Sequence, residues 1–126
     1  MAQTPSQIVT AFLDGWAGSK ASLQQAFEDY LAEDVDYENV DLTHTRTRDE
    51  AKQLIDNFME GLDHITIDMP AIAEVGNKVL TERVDYLRRA DGSLLVAIRV
   101  MGIFELEGAR IVRWRDYFDG RPFAGA

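Results

Sequence analysis

A chain of 126 residues, 46% hydrophobic and 28% charged, has the size and make-up of one soluble domain, read here as residues 1–126. Its net charge of -9 repels nucleic acid and anionic lipid surfaces, and no apolar run reaches the roughly 20 residues that span a bilayer. With no cysteine there is no disulfide framework, thiolate zinc site or cysteine nucleophile, and residues 1–5 lack the basic and apolar regions of a signal peptide, so a cytoplasmic protein acting on a neutral or cationic small molecule is expected.

Helices come first. Thr4 reads as an N-cap, Pro5 as the first helical residue, and Gln7 completes a capping box. Ile8, Val9, Phe12, Leu13 and Trp16 recur at helical spacing before Gly18 ends the pattern. Ser22 with Gln25 predicts a second start, and Leu23, Ala26, Phe27, Tyr30 and Leu31 give that helix one apolar face. A short alternating stretch follows: Val35, Tyr37 and Asn39 point one way, Asp34, Asp36 and Glu38 the other. Thr47 with Glu50 predicts a third start, for a helix lined by Ala51, Leu54, Ile55, Phe58, Met59 and Leu62.

Strands make up the rest. Ile65, Ile67 and Met69 alternate up to Pro70, which marks a strand edge or a bend. Residues 78–89, 94–106 and 109–119 predict three further strands, with Asp91-Gly92 and Glu107-Gly108 as turn signals between them. Helices followed by a meandering antiparallel sheet form an α+β pattern. A curved sheet around the long helix would enclose a cone-like pocket.

Two charged motifs fall where strands should be apolar. In Thr81-Glu82-Arg83-Val84-Asp85, the residues Val79, Thr81, Arg83, Asp85 and Leu87 share one face, with Arg83 and Asp85 about 7 Å apart along the strand. In Trp114-Arg115-Asp116-Tyr117-Phe118-Asp119, Asp116 shares a face with Val112, Trp114 and Phe118, while Arg113, Arg115, Tyr117 and Asp119 take the wetter side. A carboxylate among such groups is costly unless paired. If the sheet joins Asp85, Arg83 and Asp116, the arginine fork can bridge both carboxylates, and the two will not titrate alike. One can then act as base and the other as acid, with Tyr37 and Asn39 offering donors and acceptors to a water. His44 and His64 have no partner spacing that suggests a metal.

These residues, together with Gly102-Ile103-Phe104-Glu105-Leu106 and Tyr37-Glu38-Asn39, resemble the limonene-1,2-epoxide hydrolase family over roughly residues 7–123. The resemblance implies a cone-shaped α+β roll: about three N-terminal helices in a curved, mostly antiparallel mixed sheet, as in nuclear transport factor 2 and ketosteroid isomerase. It implies one-step hydrolysis of an epoxide to a vicinal diol, with neither cofactor nor covalent enzyme ester. By this resemblance Asp116 is the base, Tyr37 and Asn39 hold the water with it, Asp85 protonates the epoxide oxygen, and Arg83 bridges the carboxylates. Strand parity and the resemblance together put Trp16, Phe58, Leu62, Leu87, Ile98, Val100, Phe118 and Phe123 around the substrate. Residues 40–45, where many members carry a proline-containing loop, border the pocket. Residues 94–106, apolar on both faces near their middle, and the family habit of pairing sheets imply a homodimer. Two alternatives share the fold: a cyclase or isomerase reusing the same acid and base, and a non-catalytic binding or dimerisation module.

Overall fold

Thr4 accepts a hydrogen bond from the Gln7 amide, and the Gln7 side chain returns one from the Thr4 N–H, so helix α1 (Pro5–Asp14) begins where the sequence marks it. The structure, a computed structural model, describes residues 3–123, the side chain of Phe123 excepted. A 3-10 turn at Gly15–Ala17 carries Trp16 and leads to α2 (Lys20–Tyr30). The box that starts α2 is Ser19 with Ser22, three residues ahead of the expected Ser22 and Gln25. Ser22 is the N3 residue here, returning its hydroxyl to the Ser19 amide. Chain direction then switches at once: Leu31 is both the C-cap of α2 and the first residue of β1 (Leu31–Asn39).

Residues 40–45 are not all loop, because Thr43–Thr45 form a short strand, β2, antiparallel to β1. Helix α3 (Arg48–Phe58) starts on Thr47, but Glu50 binds the Arg46 amide rather than the cap's own, giving half of a capping box. It also stops earlier than its apolar stripe suggests. Met59 caps it, and Gly61 takes a φ of 80°, a left-handed turn that Leu62 follows.

Strands β3 (His64–Val75), β4 (Lys78–Arg88), β5 (Leu94–Glu107) and β6 (Arg110–Tyr117) make the expected antiparallel meander. The sheet order is β2-β1-β6-β5-β4-β3, so β1 crosses over to lie parallel to β6. Strand β3 is an edge strand, and its pairing with β4 shifts register between Asp68 and Ala71, around Pro70, where a missing N–H costs least. A second 3-10 turn, Arg121–Phe123, follows the last strand.

The helices cover one face of the sheet. Phe12 and Phe27 meet Trp114 edge-on at 5.3 and 5.7 Å, and Phe104 lies 5.5 Å from Trp114 on the neighbouring strand. All four are fully buried. Each such side chain contributes roughly 1.5–3 kcal/mol by leaving water. This cluster closes one end of the fold and leaves the other end open.

Candidate active site

Strand β4 alternates as its sequence predicts. Thr81 and Arg83 are 1% exposed and Asp85 7%, on the same face as Val79 and Leu87. Asp116, on β6, is 5% exposed. Register brings the motifs together. Across β4, β5 and β6, Thr81 pairs with Gly102, and Gly102 with Asp116. On the other side of β6 the parallel strand β1 sets Tyr37 beside Trp114 and Asn39 beside Asp116.

Arg83 is the hub. Its Nε and Nη2 donate to the two oxygens of Asp85, at 3.0 and 3.2 Å. Its Nη2 and Nη1 donate to the two oxygens of Asp116, at 2.7 and 3.1 Å. The remaining Nη1 hydrogen goes to Thr81 Oγ1 at 3.2 Å, so all five guanidinium N–H groups are used. Trp114 Nε1 donates to Asp116 Oδ1 at 2.9 Å. Beside them the Asn39 amide lies against the Tyr37 hydroxyl, with Nδ2 donating at 3.0 Å, and Nδ2 also donates to Thr43 Oγ1 at 2.9 Å. The Tyr37 ring is stacked on Trp114 with centroids 3.9 Å apart.

The electrostatics follow from burial. Loss of solvent pushes the Asp85 carboxyl above its ordinary range, against the pull of Arg83. Burial, reinforced by Asp116, also raises the Tyr37 phenol, which stays protonated. Burial disfavours the Arg83 charge, but Asp116 and Asp85 outweigh it and hold its proton more tightly than usual. Two carboxylates on one cation leave a surplus negative charge in a dry place. A proton on Asp85 removes it. Two carboxyl groups thus stand side by side on one arginine.

These groups line a cavity of about 470 Å³, with Tyr37, Asn39, Asp85 and Asp116 in its wall. Of the expected wall residues, Trp16, Phe58, Leu87, Ile98, Val100 and Phe118 are there. Leu62 is not: it lies past the end of α3, buried in the core. The Phe123 side chain lies outside the described residues, and its neighbour Pro122 lines the cavity. Besides Pro122, five wall positions were not singled out: Leu54 and Ile55, legible on the α3 stripe, Ile65, legible on the β3 alternation, and Leu42 and Thr43, from the segment read as loop. Thr81 and Trp114 were on the correct faces but their bonds to Arg83 and Asp116 were not anticipated. Among the described residues no group of three or more His, Cys, Asp or Glu side chains could hold a metal ion. His44 pairs with Asp36 and His64 with Asp63.

A helix-filled, curved mixed sheet of this order defines the cone-shaped nuclear transport factor 2-like class. A nuclear transport factor 2-like protein of unknown function from Cytophaga hutchinsonii shares the fold over 98% of this chain and 96% of its own, with a TM-score of 0.73 at 20% identity. A Mycobacterium tuberculosis LEH-like epoxide hydrolase superposes on 91% of this chain and 82% of its own, with a TM-score of 0.75 at 31% identity. Epoxide hydrolase EphG of M. tuberculosis strain H37Rv is 38% identical over 89 residues, 71% of this chain. That stretch spans 58% of the length of EphG. The sequence profile of the limonene-1,2-epoxide hydrolase catalytic domain matches residues 3–123. The chain belongs to the limonene-1,2-epoxide hydrolase family.

Proposed function

We propose that this domain hydrolyses an apolar cyclic or aliphatic epoxide to a vicinal diol in one general acid/base step, without a cofactor. The observation that carries this is one arginine bridging two buried carboxylates of unequal environment in the wall of an apolar cavity. Family membership and the epoxide hydrolases among the relatives support it.

In this mechanism Tyr37 and Asn39 hold a water beside Asp116. Asp116 acts as the base, kept in place by Arg83 and Trp114. It takes a proton from the water as the water oxygen attacks a ring carbon. The C–O bond breaks, and Asp85, whose protonated form is favoured by its burial, gives its proton to the leaving oxygen. The diol is neutral, and the catalytic pair ends with one proton, now on Asp116. Return of that proton to Asp85 resets the site. The apolar walls exclude bulk water, which strengthens every interaction inside.

Asp116→Asn tests the base. General bases contribute about 10²–10⁴ in rate, so diol formation should drop by that order while the far-UV circular dichroism is kept. Retained turnover would sink the assignment. A single turnover in ¹⁸O-water separates direct attack, with label in the diol, from an ester route, with label in an aspartate.

We further propose that residues 1–126 act as one domain in a cytoplasmic homodimer. The outer sheet face carries Leu80, Leu95, Met101 and Tyr117 at 36–52% exposure, apolar surface that a second copy would cover. A monomer by sedimentation at micromolar concentration would overturn the dimer.

A further inference from the structure

Strand β5 has one gap in its inner face. Ile98, Val100, Phe104 and Leu106 turn inward at every second position, and Gly102 interrupts them. Glycine weakens a strand interior and packs nothing, so its place here calls for a cause. Across the gap stand two strands that do not touch. Arg83 is on β4 and Asp116 on β6, with β5 between them. Two strand spacings separate them by about 10 Å. Their ion pair therefore has to pass over β5, and it passes over Gly102. A Cβ at that position would stand 2.6 Å from Asp116 Oδ1 and 3.0 Å from Thr81 Oγ1, and would overlap Arg83 Nη1 outright.

Thr81 completes the seat. It accepts the one guanidinium N–H that goes to neither carboxylate, and its own hydroxyl donates to the Gly102 carbonyl at 3.3 Å. The arginine is thereby tied to the backbone of the strand it crosses.

We propose that Gly102 and Thr81 are positioning residues for the acid/base pair: Gly102 is the opening through which Arg83 reaches Asp116, and Thr81 holds the guanidinium in it. The catalytic consequence rests on the hydrolase function proposed above; the positioning does not. A side chain at 102 pushes the guanidinium back toward its own strand. Asp85, two residues along that strand, keeps its cation, and Asp116 loses it. Losing the cation leaves Asp116 a buried carboxylate with no ion-pair partner, which disfavours its charged form. The acid limb of the pH–rate profile moves up with it.

The test uses Gly102→Ala, Thr81→Val and the conservative Thr81→Ser, assayed on whichever of limonene-1,2-epoxide, cyclohexene oxide and styrene oxide the wild type turns over fastest. Gly102→Ala should lower kcat at pH 7 by about 10–100-fold with KM held within about threefold, since the walls that grip the substrate are untouched. Its acid limb should rise by about one pH unit or more. Thr81→Val should move the same way by less, and Thr81→Ser should match the wild type. A ¹³C-carboxyl NMR titration reads the Asp116 midpoint directly, without a substrate. It should rise in Gly102→Ala and Thr81→Val and stay put in Thr81→Ser. If Gly102→Ala does not fold, the two threonine variants decide. An unmoved Asp116 midpoint, or valine and serine behaving alike at 81, overturns the proposal. A wild type inert on all three epoxides would count against the hydrolase function alone, because the titration still reports on the seat.

Discussion

The two halves of the inner sheet face obey the same alternation and end in opposite chemistry. Toward the closed end, Phe104 and Trp114 meet Phe12 and Phe27 of the first two helices, and every group there is apolar and fully buried. Toward the open end, the sheet presents Arg83, Asp85 and Asp116, as deeply buried, with the two carboxyl groups in the wall of a cavity. Trp114 belongs to both. One side of its indole packs in the aromatic cluster, its ring stacks on Tyr37, and its Nε1 binds Asp116. Burial by itself thus says little about what a position does. The closed end is stabilised by removing apolar area from water, the open end by a closed account of charges and hydrogen bonds.

That contrast can be broken from either side. Arg83→Ala has the largest expected effect, because it leaves two buried carboxylates without their cation. Breaking a buried ion pair of this kind costs about 3–5 kcal/mol, readable in urea unfolding, and diol formation should be lost as well. Phe12→Ala should cost a similar 3–5 kcal/mol by opening a cavity in the aromatic cluster. Its pH–rate profile should nevertheless keep the wild-type limbs, since no charged group of the site moves. A shifted limb in Phe12→Ala would mean that the two ends are coupled through Trp114 and are not separable.

A smaller effect concerns pH and Asp85. Its carboxyl is raised in the folded chain, so the folded state keeps this proton at pH values where the unfolded state has released it. Its stabilising share is complete below the ordinary carboxylate range and is lost as pH rises through the raised folded value. Activity falls through that same value, because the acid is then spent. Asp85→Asn should flatten this part of the stability curve and abolish the alkaline limb along with most of the rate. A wild-type slope retained in Asp85→Asn would assign the titration to another group. Smallest of all, Leu42→Ala at the half-exposed cavity wall should leave stability within about 0.5 kcal/mol and change KM more than kcat, measured with a bulky epoxide.

Much of this was legible one strand at a time. Period-2 alternation places Thr81, Arg83 and Asp85 on one face and Asp116 with Trp114 on another, and Tyr37 with Asn39 on a third. Capping signals locate α1 well and α2 within three residues. Errors fall where a backbone conformation beat a side-chain pattern. The α3 stripe continues to Leu62 in sequence, yet the left-handed Gly61 ends the helix first. Thr43–Thr45 carry no apolar period, and they are a strand only because β1 lies alongside to pair with.

Alternation and composition determined by themselves which side chains turn inward and that a costly carboxylate pair is among them, because those properties are local to each strand. Only the tertiary structure decided that the three faces meet. The parallel pairing of β1 with β6 and the glycine gap in β5 set which residues lie across from one another, and register between strands is a long-range property that no single segment encodes.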